Sequence, residues 1–462
     1  MTTKEKGLQQ KQNKQNNFGE GPVWKCIVVQ AIPLTVAQLV ALLYNVVDRI
    51  YLGHLGDGNS MALTGVGLTF PIITLIMAFT ALFGNGGVPL FAMARGRGKE
   101  DEAEQIMGNA FGLLVTSSLV LMALCFVFCR PIMFLFGASE ASYVYTEQYL
   151  KVYLIGTTCT MVATGMNGFI NAQGFPRIGM FTTIIGAVLN IILDPIFIFA
   201  LEMGVSGAAL ATVISQTVSA GWVLYYLVSG KTPIRLRRAA IRLDKDITSK
   251  ILKLGSANFI VHGSNCLVQV VCNVMLAGYG GDLYVGVMTV LNSIREITVL
   301  PINGLVNGGQ PVISFNYGAG HNDRVKAGIR FNSLLGVIYT LIAWLSILLF
   351  PMFWFRIFTD DLQMAEMGAE ALHVYFFGFI FMALQFAGQS TFQAVGDAKH
   401  SIFFSTLRKV IIVVPLTILL PKMGFGVIGV FLAEPISNVI GGTACYTTMW
   451  RTVYRRLGRE EI

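Results

Sequence analysis

The chain has 462 residues, of which 54% are hydrophobic and only 13% charged, and its mean hydropathy is +0.64. Soluble domains carry about 25% charged residues, so this composition excludes a soluble globular protein and points to a polytopic membrane protein. The formal net charge of +8 does not indicate nucleic-acid binding, because the basic residues gather at the ends of apolar runs, where they act as orientation signals.

Residues 1–22 are rich in Gln, Asn and Lys and read as a disordered cytoplasmic N-terminus. No cleavable signal pattern precedes the first apolar run. A span needs about 20 apolar residues. Twelve such runs follow: 26–52, 61–92, 103–129, 142–172, 178–200, 205–229, 250–278, 284–316, 326–350, 365–394, 400–420 and 426–450. With the N-terminus inside, 27 of the 33 basic residues fall in cytoplasmic segments, Arg408 and Lys409 among them. This placement obeys the positive-inside rule. It predicts a multi-pass protein of the cell membrane with both termini cytoplasmic.

The two halves are related. Asn85-Gly86-Gly87-Val88-Pro89 returns as Asn307-Gly308-Gly309-Gln310-Pro311, a shift of 222 residues. At that shift Val152-Tyr153 meets Val374-Tyr375, Gly156 meets Gly378, Gly174 meets Gly396, and Ile214-Ser215 meets Ile436-Ser437. Upstream, Gly53, Gly56 and Asp57 meet Gly278, Gly281 and Asp282 after a three-residue gap. Each repeat has an even number of spans, so both cross the membrane in the same sense. The expected fold is an all-α integral membrane protein of two six-helix lobes, 23–230 and 250–450, related by a pseudo-twofold axis along the membrane normal. A basic linker, 231–249, joins them, and residues 451–462 form a cytoplasmic tail. In the linker, Arg235, Arg237, Arg238 and Arg242 interleave with Ile234, Leu236, Ile241 and Leu243, a pattern that suits either an interfacial helix or a plain topogenic connection.

Two carboxylates interrupt the apolar runs of the first lobe. Asp48 lies 23 residues beyond Lys25, about 35 Å along an outward-going helix. Asp194 lies 17 residues beyond Arg177, about 25 Å along another. A charge at such depth costs about 2.5–3.5 kcal/mol on insertion scales, and the groups retained there commonly handle ions or protons. Tyr44 precedes Asp48 by four residues and Asn190 precedes Asp194 by four, so each shares its acid's helix face. Thr212 reaches the same level on the sixth span, and Tyr149 and Asn167 bring polar groups from the fourth. These seven residues form the candidate coupling site, suited to a proton or to the oxygen ligands of Na⁺. For the asparagines, an interhelical hydrogen bond is the competing reading. The acids are not duplicated: Asp48 maps to Asn273 and Asp194 to Leu416. Candidates for the substrate cleft are Asn171, Met166, Arg295, Glu296 and Glu434. The alternative for Arg295 and Glu296 is a buried structural pairing.

The run ending Tyr44-Asn45-Val46-Val47-Asp48, the segment Asn190-Ile191-Ile192-Leu193-Asp194-Pro195 and the stretch Gln310-Pro311 to Asn316-Tyr317-Gly318 resemble the multidrug and toxic compound extrusion (MATE) family. The nearest branch is that of the MepA-like and DinF-like bacterial exporters, and the resemblance spans about residues 22–455. It implies a secondary active antiporter, not an enzyme. Such a protein exports lipophilic, cationic small molecules in exchange for protons or Na⁺ by alternating access of two lobes. It implies that the matching acids and their Asn, Tyr and Thr neighbours bind the coupling cation. It implies no organic cofactor and no metal other than that ion, a lipid bilayer as surroundings, no nucleic-acid partner and a monomeric state. The competing reading is a flippase for lipid-linked saccharides, which calls for Arg and Lys lining its cleft. None of the five histidines has partners at metal-ligand spacing, and no HExxH or GxSxG motif occurs.

Overall fold

The computed structural model of the protein describes residues 18–53, 66–135, 140–358 and 362–457. Most of the expected N-terminal tail, the Gly56 and Asp57 repeat positions, the start of the second span and the last residues of the C-terminal tail lie outside them. The described residues are overwhelmingly helical and contain no strand. The helices are α1 (Val23–Gly53), α2 (Phe70–Gly96), α3 (Glu100–Val127), α4 (Glu140–Ile155), α5 (Thr157–Ala172), α6 (Pro176–Pro195) and α7 (Gly204–Val228). They continue with α8 (Lys245–Gly318), α9 (Asn322–Leu349), α10 (Leu362–Tyr375), α11 (Phe379–Ala394), α12 (Ala398–Thr406), α13 (Val414–Leu420) and α14 (Gly426–Met449).

Nine helical stretches among the described residues are long and apolar enough to cross a bilayer. Two of them are the halves of α8, which breaks at Gly281, where φ is +71°. A tenth crossing is α10 with α11, bent by 50°. Its repeat mate is α4 with α5, interrupted at Gly156 where the second half has Gly378. The stretch Ala398–Tyr454 is 57 residues long, about 86 Å if straight, far more than the ~30 Å hydrocarbon core. It turns at Gly424 and Gly426, whose φ values of +98° and +52° suit glycine alone, and so makes two crossings. The result is the expected all-α membrane fold of twelve crossings in two six-helix halves.

The chain divides into two compact units. One is built on Ile32–Phe259; the other combines Gly21–Ala31 with Ile260–Ile462. The unit boundary therefore falls inside α1, next to the helix-interrupting Pro33, and inside the first half of α8. These boundaries differ from the lobe limits of 23 and 250 read from the repeat. The repeated Asn-Gly-Gly motif explains the difference. A Cβ on Gly86 of α2 would sit 2.5 Å from the Ile251 carbonyl oxygen at the start of α8, and one on Gly255 would collide with the Leu82 carbonyl. The repeat mate Gly308 lies in the same way against the backbone of Ala31, with a Cβ 2.6 Å from its nitrogen. Each motif thus seats the first turns of the other half's leading helix, and only glycine permits that backbone approach.

The linker is not the interfacial helix that its charges suit. Apart from a three-residue turn at Arg238–Ala240 it is irregular until α8 begins at Lys245. From Lys231 to Arg237 exposed and buried residues strictly alternate, with Thr232, Ile234 and Leu236 buried. The alternation sets one side of the segment against the protein, with bends at residues 232–234. It is pinned by Gln173 Oε1, which accepts from the Ile234 amide at 2.9 Å, and by Asn109 Oδ1, which accepts from the Asp244 amide at 2.8 Å. Backbone donors satisfied in this way have no need of a helix.

Candidate functional site

In the first unit, α1, α4, α6 and α7 bring six of the seven coupling candidates together. The carboxyl of Asp48 lies within hydrogen-bonding reach of that of Asp194. Asp194 has no exposed surface. Asn190, one turn earlier on α6, donates from Nδ2 to Asp194 Oδ1 at 3.2 Å and to Thr212 Oγ1 at 3.4 Å. The Thr212 hydroxyl donates to the Ala208 carbonyl one turn back on α7, at 3.1 Å. Tyr149 of α4 reaches Thr212 and lies close to Asp48, and Tyr44 lies close to both acids. Tyr153 stacks on Tyr149 with ring centroids 5.9 Å apart and closes the cluster from that side. After Pro195, which cannot donate to the helix ladder, the backbone continues as a π-helical turn, Ile196–Ala200. Such turns commonly mark functional positions.

The arrangement is rich in acceptors. Asn190 Oδ1 and Asp194 Oδ2 are buried and receive no donor from the described residues. Two carboxylate oxygens facing each other are both acceptors, so their contact is satisfied only with a proton or a cation between them. Among the described residues no three His, Cys, Asp or Glu converge on one point. A Na⁺ here would therefore draw further oxygens from Asn190, Thr212 and the tyrosines, the hard ligand set such an ion takes.

Asn167 does not join this cluster. Its Nδ2 donates to the Gly179 carbonyl at 3.1 Å, and its Oδ1 lies 3.4 Å from the Thr182 hydroxyl. Gly179 is fifteen residues before Asp194, about 22 Å along the helix. Asn171 packs at the same place, because any side chain on Gly179 would strike its Oδ1. Asn167 thus bonds α5 to the start of α6, which is the interhelical alternative, and Asn171 packs against the same turn. Met166 is fully buried in the hydrophobic core of the first unit.

The second unit has a charged cluster of opposite sign. Glu434 of α14 accepts on Oε1 from Arg295 at 3.0 Å, Arg408 at 3.2 Å and Lys409 at 3.1 Å, and Lys409 also reaches Oε2 at 3.2 Å. Arg408 donates further to Asn438 Oδ1 at 2.9 Å. Tyr375 contacts Arg295 and donates to Asn292 Oδ1 at 3.4 Å. Consecutive residues on an α-helix point about 100° apart, yet Arg408 and Lys409 both meet Glu434. They do so because Leu407–Val413 is a π-helix, with a wider turn. Glu296 is exposed and takes no part in the pairing with Glu434. Arg295 and Glu434 thus form the buried pairing that was the alternative to a substrate contact.

Sequence reading placed Arg408 and Lys409 with the cytoplasmic flanking charges, although both fall well inside the eleventh apolar run. That position within a span was the available signal. The repeat locates the two clusters in corresponding places: Thr212 of the acidic cluster aligns with Glu434, and Tyr153 with Tyr375.

A duplicated helical membrane fold with ionisable groups buried inside each half defines the class of secondary transporters. The MatE family model matches residues 33–196 and 263–419, and the chain belongs to that family of membrane transporters. It is similar to the multidrug export protein MepA of Staphylococcus aureus strain MRSA252, with 25% identity over 416 residues, 89% of this chain and 90% of the relative. MepA of Staphylococcus saprophyticus is 26% identical over 431 residues, 92% of each chain. The fold matches that of a multidrug resistance MATE family transporter of the MOP superfamily in an outward-facing conformation, with a TM-score of 0.89 and 23% identity, covering 95% of this chain and 97% of that one. The protein is accordingly a multi-pass membrane transporter with small-molecule substrates, driven by a coupling ion rather than by an organic cofactor.

Proposed function

We propose that the protein is an antiporter that exports lipophilic cations in exchange for protons taken up at Asp48 and Asp194, with Na⁺ as the alternative coupling ion. The observation that carries this reading is the contact of two carboxyls inside the first unit, beside buried oxygens that receive no donor. Binding a proton or cation there changes the charge of the lobe's interior, which is the kind of differential interaction that biases a two-state equilibrium. Asn190, Thr212, Tyr149 and Tyr44 position the acids and complete the ion's surroundings. The MepA relatives support drug export as the task. The site of action is the cell membrane, with both termini in the cytoplasm and a single chain as the working unit.

The energetics suffice. Exchange of one proton for one monovalent cation moves no net charge, so the pH gradient alone drives it. Each pH unit is worth about 1.4 kcal/mol, a tenfold concentration ratio. The test is efflux of ethidium from proteoliposomes holding the purified chain, under an imposed pH gradient or an imposed Na⁺ gradient, each alone. Concentration of the dye against its gradient under one of them identifies the ion; none under either rejects the reading.

One observation speaks for the flippase alternative, namely the three cations of the second unit. Two of them, Arg295 and Lys409, line a cavity of about 260 Å³ together with Glu434. That is below the roughly 300–1,000 Å³ of drug-sized ligand sites and too small for a lipid-linked saccharide.

A further inference from the structure

The cavity beside Glu434 lies wholly within the second unit. Its polar lining comes from Asn265, Gln269, Asn292, Arg295, Tyr375 and Lys409, with the carboxylates of Glu296 and Glu434. Charge balance inside it is incomplete. Arg295, Arg408 and Lys409 share one buried carboxylate, whose side chain is 6% exposed. Lys409 is 2% exposed, so water does not screen it. Glu296, the other acid on the cavity wall, forms no ion pair within 4 Å among the described residues. With all three basic groups protonated, counting it fully still leaves one positive charge in excess.

Hydrogen bonding is unbalanced in the same direction. Two guanidinium groups and one ammonium bring about thirteen N–H donors. The acceptors they meet are the two oxygens of Glu434, the amide oxygen of Asn438 and the hydroxyl oxygen of Tyr375. Uncompensated charge inside a membrane protein is costly and is normally paired. Here Arg295 and Lys409 line a cavity with room for a small ion, and Arg408 stands behind them on the shared carboxylate.

We infer that this cavity is a binding site for a small monovalent anion, a halide or a carboxylate, held between Arg295 and Lys409 with Arg408 behind them. It stands apart from the acids of the first unit and does not depend on the drug-export reading. The charge pattern excludes a cation, because any cation entering would meet three like charges for one opposite. The cavity volume excludes a large anion. Because the lobes are repeats, the molecule then carries two sites of opposite polarity at matching positions, one for a cation and one for an anion.

The test is binding of radiolabelled chloride to the purified full-length protein in detergent, with sodium benzoate as competitor. Saturable binding of one chloride per chain is expected, as is its displacement by benzoate. Uptake of labelled benzoate by proteoliposomes then separates a transported carboxylate from a resident counter-ion; either result supports the site. Arg408→Gln should weaken chloride binding at least tenfold. Glu434→Gln should tighten it severalfold, since it removes the competing negative charge. A merely structural role would weaken binding in both variants. Asp194→Asn, in the other unit, should leave binding unchanged. Absence of saturable chloride and benzoate binding to the unmodified protein overturns the inference, as does movement of the two variants in the same direction.

Discussion

Replacing Asp194 by Asn isolates the proposed coupling site with the smallest steric change. The side chain keeps its shape in a site with no exposed surface. It also gains an amide that can donate to the facing Asp48 carboxyl, which supplies the missing donor. Fold stability should therefore hold or rise by about 1 kcal/mol, the net worth of one hydrogen bond. What is lost is the exchangeable proton. Under a gradient of two pH units and no membrane potential, a one-for-one exchanger concentrates a monovalent cation up to about a hundredfold, or about 2.7 kcal/mol. The Asp194→Asn variant should equilibrate the dye and go no further, a ratio near one. The assay is ethidium accumulation in proteoliposomes, run beside thermal unfolding of the same preparation. Undiminished accumulation by a folded variant refutes the coupling role; loss of folding together with transport means that the acid is a structural element.

Other substitutions separate the remaining parts of the argument. Asn190→Ala, which removes the amide bridging Asp194 and Thr212, should shift the pH dependence of efflux. Asn167→Ala, about 22 Å away along α6, should cost about 1 kcal/mol of stability and leave that profile in place; identical effects would dissolve the distinction between them. Glu434→Ala leaves three buried cations without their carboxylate and should cost about 3–5 kcal/mol, read as a lower unfolding temperature in detergent; a neutral result would show that the cations are not held by it. Gly86→Val and Gly308→Val should each abolish a folded monodisperse peak in size-exclusion chromatography, since even one methyl would meet backbone at 2.5–2.6 Å. Retention of the peak would show that the helix starts pack elsewhere.

The repeat, the twelve crossings and the asymmetry of the acids were all legible in the residues. Hydropathy marks spans because lipid demands about 20 apolar residues in a row. Self-similarity at one shift marks duplication. Asp48 and Asp194 stand out because charge is rare at that depth, and their four-residue offsets from Tyr44 and Asn190 put each pair on one helix face. Asn167 misled for the complementary reason: a polar residue in a span announces that it needs a partner but not which one. Its partner turned out to be the Gly179 carbonyl on the neighbouring helix.

By itself the sequence determined a duplicated helical membrane transporter whose Asp48 and Asp194 have no acidic counterpart in the second half, because local periodicity and self-comparison carry that information. Tertiary structure alone decided three things: that Arg408 and Lys409 turn inward on a π-helical segment to meet Glu434, that each half's leading helix begins in the other unit, and that the linker is irregular up to Lys245. Each depends on which backbones approach across long separations in the chain, and that is set by glycine contacts, helix winding and buried partners rather than by the spacing of residues along one helix.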